Sequence, residues 1–293
     1  MANISAQDVK TLREKTGAGM MECKNALVEC GGDFAKAEKL LKEKGLAAVE
    51  KRADRATKEG KVAVKVKSSG EAAVLVEMVT ETDFVAKNPD FIALGGAIAD
   101  TVLDKGYTEK DIAPDSKAYA ELNNKVMDLA TKIRENMSLR RIKVIKAGAG
   151  EYLSSYIHGD GAIGVVVKMA ADKPEALKDP QFTELAHNLA LHVAWANPAA
   201  LDREKIDPEY IKENTEIFRK QMETDESLKG KPEKVLEGIL NGKVSKFLKS
   251  ICLLDQGYIK DEKLTVSQVL KDTGKALGAN ITVADYVYLK VGV

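Results

Sequence analysis

An internal repeat constrains this chain more than any other feature of its 293 residues. A shift of 91 residues without a gap places FIALGGAIADTV, which begins at Phe91, on FTELAHNLALHV, which begins at Phe182. The same shift places the strand-like VLVEM from Val74 on VVVKM from Val165. Self-similarity at a fixed period indicates that one structural unit occurs more than once. The two copies are therefore expected to fold in the same way.

Each copy has the pattern of a hairpin followed by a helix. Two strand-like runs flank a glycine-containing turn, and a helix then begins through Asn88-Pro89 in the first copy and Asp179-Pro180 in the second. Proline is favoured in the first turn of a helix. The pattern predicts two related ββα units, in which the alternating face of each hairpin packs on its helix. A long helical segment, about 116–136, separates the copies, so the predicted fold class is α+β.

The segment before the repeat predicts a small helical bundle. Ser5, followed three residues later by Asp8, has the pattern of a capping box that begins a helix ending near Thr16. A second helix follows the GAG break, Gly-Gly ends it, and Asp33 caps a third helix that ends near Gly45. The charged stretch that follows, AAVEKRADRATKEG, is typical of a linker that is either helical or loose.

The last third of the chain predicts further helices and a final strand. YIKENTEIFRKQMETDE is helical and strongly charged, and is either a surface helix or one leg of a helical hairpin with LKGKPE at its tip. The final stretch, ITVADYVYLKVGV, predicts a strand. The domain boundaries that follow are a three-helix domain over 1–48, a linker over 49–60, a first α+β subdomain over 61–148, and a second over 149–293 with the hairpin at about 208–245.

One aromatic residue breaks the correspondence between the copies. Phe84 lies in ETDFVAKNPD, directly after the strand-like EAAVLVEMV. In the repeat register, TDF falls on KPE, so the second copy has Glu175 where the first has Phe84. Phe84 either packs inward or is held out as a contact for a partner. The register favours the contact, because a core position would be apolar in both copies and exposed loop aromatics often bind partners.

Composition and charge restrict the class of protein. Forty-five basic and forty-five acidic residues give a net charge of zero, which removes the overall electrostatic footprint of a non-specific nucleic-acid binder. A local basic cluster in RENMSLRRIKVIK lacks interleaved aromatics and is more typical of a solvated face than of an RNA groove. No apolar run approaches the roughly 20 residues of a membrane helix. The N-terminus lacks the pattern of a secretory signal, so a cytoplasmic location is expected.

No pattern of catalytic, metal-binding or nucleotide-binding residues is present. His187 and His192 are five residues apart on a predicted helix, about 140° around its axis, so they cannot easily share a metal ion. Neither a phosphate-binding glycine loop nor a dinucleotide fingerprint occurs. A hydrolase would need a clustered nucleophile and base, which the sequence does not offer. No enzyme, metal or cofactor is therefore predicted.

The paired methionines Met20 and Met21 begin the second predicted helix. Adjacent helical residues point about 100° apart, so both side chains cannot face fully inward. The alternative is that at least one of the two methionines packs in the core. The other is then free to be an adaptable apolar contact beside Arg13.

Several motifs together resemble the bacterial elongation factor Ts family. They are LREKTGAGMMECKNAL, TDFVAKN, SYIHGDGAIGVVV, LALHVAWANP and GKVSKFLKSICLLDQ, and they occur in the order of that family over almost the whole chain. The resemblance implies an N-terminal bundle similar to a ubiquitin-associated (UBA) domain. It also implies a pair of α+β subdomains with an inserted helical hairpin.

The function that this resemblance implies is guanine-nucleotide exchange on elongation factor Tu. In the family, the loop that matches Thr82, Asp83, Phe84 and Val85 inserts beside the Mg²⁺ of Tu and displaces it indirectly. Phe84 would wedge between helices of the GTPase domain, while Asp83 would rearrange the groups around the ion. The remaining contacts with Tu map onto Arg13, Met20, Met21 and His158.

The resemblance also leaves alternatives open. A non-catalytic protein- or RNA-binding adaptor would explain the bundle, but not a loop contact found in one of two copies. In some members the inserted hairpin makes a homodimer, and no residue here decides between monomer and dimer. Many members continue into a further C-terminal helix that touches Tu, whereas this chain stops at Val293, so the resemblance does not extend to that contact.

Overall fold

The computed structural model describes residues 4–293, so the first three residues of the predicted 1–48 bundle lie outside it. The bundle consists of three helices, α1 (Ala6–Thr16), α2 (Met20–Glu29) and α3 (Phe34–Glu50). The predicted capping box is present, since the backbone N–H of Ser5 donates to Asp8 at 2.9 Å and that of Asp8 donates to Ser5 Oγ at 3.1 Å. The prediction of a three-helix bundle is confirmed.

The predicted end of the third helix near Gly45 is wrong, because α3 continues to Glu50. A Cβ atom on Gly45 would lie 2.2 Å from Cγ2 of Thr131, a residue of the long helix that separates the repeat copies. Gly45 therefore serves a close crossing of two helices and does not end one. Val49, one turn further on, is buried in the core of the first copy.

The first repeat copy contains three strands and three helices. In chain order these are β1 (Glu59–Val66), β2 (Ala72–Thr80), α4 (Asp83–Ala86), α5 (Pro89–Lys105), α6 (Lys117–Ile133) and β3 (Met137–Lys146). The strands form an antiparallel sheet in the order β1-β2-β3. The helix α5 packs on this sheet, with Phe91 and Ile98 fully buried between them.

The second copy repeats this arrangement and adds an inserted hairpin. In chain order its elements are β4 (Glu151–His158), β5 (Ile163–Ala171), α7 (Pro180–Ala196), α8 (Pro208–Glu223), α9 (Glu233–Ile251), β6 (Gly257–Tyr258), β7 (Asp261–Thr265), α10 (Val266–Leu277) and β8 (Ile281–Lys290). The strands β4, β5 and β8 form an antiparallel sheet in that order. Phe182 and Leu189 of α7 are buried against it.

The structure confirms the repeat and extends it. The strand β5 and the helix α7 begin and end where β2 and α5 do after the shift of 91 residues. A third strand, β3 or β8, then joins each sheet beside the second strand, with a bulge at Glu77/Met78 in one copy and at Lys168/Met169 in the other. Each unit is therefore ββααβ, of which the ββα pattern is the first part.

The two sheets pack against each other, and the inserted helices form an antiparallel pair. Apolar residues of both sheets share one core cluster: Val62, Ala73, Leu75 and Ile145 from one sheet, and Leu153, Val166 and Leu289 from the other. In the α8–α9 pair, the Phe218 and Phe247 rings contact edge to face with centroids 5.6 Å apart. Of the two interpretations of this segment, the hairpin is confirmed. No helix among residues 4–293 is long and apolar enough to cross a membrane.

Candidate partner-binding site

The predicted loop around Phe84 forms one turn of helix. Thr82 is the N-cap of α4, and its hydroxyl accepts a hydrogen bond from the Val85 N–H at 3.4 Å. The Phe84 side chain is 83% exposed, whereas Val85 is 7% exposed and belongs to the core of the first copy. The expectation that Phe84 is held out from the core is therefore confirmed. The side chain of Val85 anchors the turn from inside and is not part of its exposed surface.

Helical geometry explains why Phe84 points outward. Val85 and Ala86 are both buried, so the inward direction lies between them. Adjacent helical residues are about 100° apart, which turns Phe84 about 150° away from that direction and toward solvent. The second copy shows the same geometry in its short 3₁₀ helix, Pro174–Lys178, where Ala176 is buried and Glu175 is exposed. In both copies the backbone thus exposes the residue directly before the first buried one. Only the first copy places a large aromatic ring there.

Asp83 is charged and held beside the aromatic ring. Its carboxylate accepts a hydrogen bond from Lys87 Nζ at 2.7 Å, and this bond lowers the pKa of Asp83. The same bond raises the pKa of Lys87, which also lies in the field of Asp160 and Glu59. At neutral pH the turn therefore presents an ionised carboxylate next to an exposed phenyl ring.

Glu135, which the sequence analysis did not single out, supports the turn from below. Its carboxylate accepts hydrogen bonds from the Thr82 hydroxyl at 2.7 Å, the Thr82 backbone N–H at 3.1 Å and the Thr80 hydroxyl at 3.1 Å. The neighbouring Glu81 accepts the backbone N–H of Asn136 at 2.6 Å. Nothing in the local sequence indicates these bonds, because the partners are more than fifty residues apart.

A second exposed patch lies at the start of α2. Met20 and Met21 are 44% and 64% exposed, and Arg13 on α1 is exposed as well. The alternative that at least one methionine packs in the core is wrong, because the buried face of α2 begins only at Cys23. Val28, also exposed, extends the apolar surface of the same helix and was missed.

A hydrogen-bond chain connects this methionine patch to the junction below the Phe84 turn. Glu22 accepts the backbone N–H of Gly19 at 2.8 Å, and it pairs with Arg134. Arg134 directly precedes Glu135, the residue that supports the turn. Arg134 and Glu135, which directly follow α6, therefore contact the methionine patch and the Phe84 turn, respectively.

His158 lies exposed at the end of β4, on the hairpin of the second copy. Its Nδ1 is 3.3 Å from the Tyr156 hydroxyl. The tip of this hairpin contacts the first copy, because Lys61 Nζ donates to the Asp160 carboxylate at 2.5 Å and the Val62 N–H donates to the Gly161 carbonyl at 2.8 Å. The hairpin that contains His158 is thus fixed to the copy that contains the Phe84 turn.

His192 and the basic cluster have internal partners. Buried His192 accepts the backbone N–H of Ile259 through Nδ1 at 3.2 Å, which leaves Nε2 to donate to Gln256 Oε1 at 3.0 Å, and burial lowers the pKa of this imidazole. Within residues 4–293 no three His, Cys, Asp or Glu side chains are grouped to hold a metal ion.

In the basic cluster, the residues paired with carboxylates are Arg134, Arg140, Arg141 and Lys143.

Comparison with known proteins identifies similar chains. A family model described as Elongation factor TS matches residues 81–293. The chain is 49% identical over 290 residues to Elongation factor Ts of Treponema denticola, with 99% of each chain covered. It is 41% identical over 289 residues to the Elongation factor Ts of Nitratidesulfovibrio vulgaris, covering 99% of this chain and 96% of that protein. To the Elongation factor Ts of Borreliella burgdorferi it is 40% identical over 293 residues, with both chains fully covered.

Proposed function

Because this chain belongs to the elongation factor Ts family, we propose that it is a guanine-nucleotide exchange factor for elongation factor Tu. Membership makes it a translation elongation factor. Nucleotide exchange on Tu is the activity that we assign to its exposed surface. The chain would bind Tu with GDP in the cytoplasm, promote release of the nucleotide and leave when GTP binds. It would bind no nucleotide itself and need no cofactor.

The exposure of Phe84 is the single observation that supports this function best. A ring that is 83% exposed has no role in the core, while the buried Val85 and the hydrogen bonds that Thr82 donates to Glu135 fix its support. Large aromatic side chains on rigid supports are typical of residues that dominate a protein interface. We therefore assign the Phe84 ring as the wedge that enters the GTPase domain of Tu.

Asp83 would act on the metal site of Tu. A GTPase holds GDP through a phosphate-binding loop and a Mg²⁺ ion that bridges protein and phosphate oxygens. An ionised carboxylate brought close to that site would compete for the donor groups that surround the ion. The hydrogen bond from Lys87 lowers the pKa of Asp83 and orients its carboxylate before docking. Displacement of Mg²⁺ would then be indirect and would follow from rearrangement of its neighbours.

The other predicted residues would fix the docked orientation. Arg13, Met20 and Met21 form the exposed patch that would hold the GTPase domain, and His158 would reach another domain of Tu. Since its side chain is buried, Val85 would contribute through the position of the turn.

Linkage requires reciprocity, because a factor that weakens nucleotide binding is itself bound more weakly by nucleotide-loaded Tu.

The test is the rate at which a fluorescent GDP leaves Tu as this protein is titrated. The native chain should accelerate release strongly, and Asp83→Ala and Phe84→Ala should lower that acceleration without loss of folding. Glu175→Ala is the matched control, because Glu175 occupies the equivalent exposed position in the second copy. Binding to Tu without acceleration would favour the adaptor alternative, and equal losses in all three variants would remove the Phe84 turn from the mechanism.

A further inference from the structure

The second copy provides an internal control for the junction below the Phe84 turn. In the first copy Arg134–Asn136 connects α6 to β3, and in the second Gly278–Asn280 connects α10 to β8. The two junctions begin with the same left-handed backbone, φ 69° at Arg134 and φ 62° at Gly278. Each is followed by a strand of ten residues that pairs with the second strand of its hairpin.

One hydrogen bond is shared by both junctions. The Asn136 backbone N–H donates to Glu81 at 2.6 Å, and the Asn280 backbone N–H donates to Asp172 at 2.8 Å. In both copies the accepting carboxylate directly follows the second strand of the hairpin. This bond therefore belongs to the common fold. It joins the residue before the third strand to the residue after the second strand.

The middle residue of the junction is different. Glu135 accepts three hydrogen bonds from Thr80 and Thr82, but the equivalent residue in the second copy is Ala279, which has no polar side chain. Lys173, which stands in place of Thr82, instead donates to the Gly278 carbonyl. We call the three hydrogen bonds that Glu135 accepts from Thr80 and Thr82 the carboxylate clamp. The clamp thus occurs only in the copy that presents the exposed phenylalanine.

We propose that Glu135 is a positioning residue for the Phe84 turn. Its carboxylate accepts hydrogen bonds from Thr80 and Thr82, so it acts on Phe84 through Thr82. The Thr82 hydroxyl donates to Glu135 and accepts the Val85 N–H, so one side chain connects the clamp to the first turn of α4. Fixing the start of α4 fixes the directions of Asp83 and Phe84. Such preorganisation matters most for the productive geometry of a bound complex.

The shared architecture also predicts which variants will fold. Glu135→Ala gives the first junction the residue that the second junction already has, so the backbone of this junction is compatible with alanine. Glu135→Gln is the conservative variant, since its amide oxygen can accept from Thr80 and the Thr82 N–H while its amide group donates to the Thr82 hydroxyl. Glu151→Ala is a matched control that removes a half-buried carboxylate bound to the Gly148 N–H at 2.6 Å, on the second copy.

The experiment has two readouts, and this inference rests on the proposed function only for the second. The first is hydrogen exchange of the Thr82 amide in the native protein and the three variants. Glu135→Ala should expose that amide and accelerate its exchange, while Glu135→Gln and Glu151→Ala should not. This readout concerns the turn alone and does not involve Tu.

The second readout is fluorescent GDP release from Tu over a range of factor concentrations. Glu135→Ala should lower the maximal rate about tenfold, with a smaller change in the half-saturating concentration, because the contact side chains remain while the turn loses its fixed orientation. Glu135→Gln should restore the native rate. An unchanged Thr82 amide or an unchanged maximal rate in Glu135→Ala would overturn the proposal. If the native chain shows no exchange activity, the proposed function fails, and the amide measurement still decides whether Glu135 anchors the turn.

Discussion

The two repeat copies have the same backbone plan and different surfaces. Both sheets have a bulge at the equivalent position, and both central helices begin with proline after a capping Asn88 or Asp179. Both hairpins are followed by a short turn in which the first buried residue, Val85 or Ala176, has an exposed predecessor. The exposed residue is Phe84 in one copy and Glu175 in the other. The fold thus determines which position faces outward, while the residue at that position determines what the surface can bind.

The largest expected effect separates core aromatics from the exposed one. Phe91 and Phe182 are equivalent and almost fully buried, so replacing either with alanine should lower the free energy of unfolding by about 3 to 5 kcal/mol. Phe182→Ala should be the more costly, because Phe182 also contacts the Tyr152 ring with centroids 5.8 Å apart. Phe84→Ala should change the free energy by less than about 0.5 kcal/mol.

Urea unfolding of the three variants measures these differences directly. The native chain and Glu175→Ala serve as references for an unperturbed surface. If Phe84→Ala destabilised the protein as much as Phe91→Ala, the ring would contribute to folding, and the contrast between the exposed turns would lose its meaning.

The sequence predicted the first half of each copy well and the second half poorly. Hairpin and helix could be aligned at a constant shift, because no residue is inserted between Gly70 and Val102 or between Gly161 and Val193. The α8–α9 hairpin then enters the second copy and breaks the register. The equivalence of α6 with α10, and of Glu135 with Ala279, was hidden for that reason.

Tertiary contacts account for the remaining differences from prediction. Gly45 has the local pattern of a helix end, but its place opposite Thr131 can be known only once α3 and α6 are packed. The exposure of Phe84 was predictable because a repeat supplied a comparison within one chain. The hydrogen bonds that Thr82 donates to Glu135 were not predictable, since hydrogen bonds between distant polar residues leave no periodic signal.

A difference in pH dependence should also distinguish the copies. His192 in the second copy is equivalent to Thr101 in the first, which donates only to a carbonyl of its own helix at 2.7 Å. Burial lowers the pKa of His192, so the unfolded chain takes up a proton near pH 6.5 while the folded chain does not. Stability should therefore fall as the pH drops below about 6.5, by at most about 1.4 kcal/mol per pH unit for one proton.

The measurement is the free energy of unfolding at several pH values between 7.5 and about 5.5, a range that spans the ordinary histidine pKa. The slope attributed to His192 is the difference between the native protein and His192→Gln, which removes the titrating group. Thr101→Val is the control from the first copy and should leave the slope unchanged. Equal slopes for the native protein and His192→Gln would show that another group titrates in this range.

The smallest expected effect concerns the left-handed residue at each junction. Arg134 has φ 69°, a conformation that favours glycine, and the second copy has Gly278 at the equivalent position. Arg134→Gly should relieve backbone strain and also remove the exposed ion pair with Glu22, which is worth between about 0 and 1 kcal/mol. These terms oppose each other, so the free energy of unfolding should change by less than about 1 kcal/mol.

A double-mutant cycle separates the two terms. Glu22→Gln should destabilise the native chain slightly and have a smaller effect in the Arg134→Gly background, where the ion pair is already absent. Gly278→Ala is the converse variant and should be destabilising, because it forces a side chain into the left-handed region without a compensating partner. If Glu22→Gln had the same effect in both backgrounds, Arg134 would not hold the bundle to the junction. The methionine patch would then be positioned by the contacts of α3 with the first copy, which include the crossing at Gly45, the buried Val49 and the ion pair of Lys42 with Asp128.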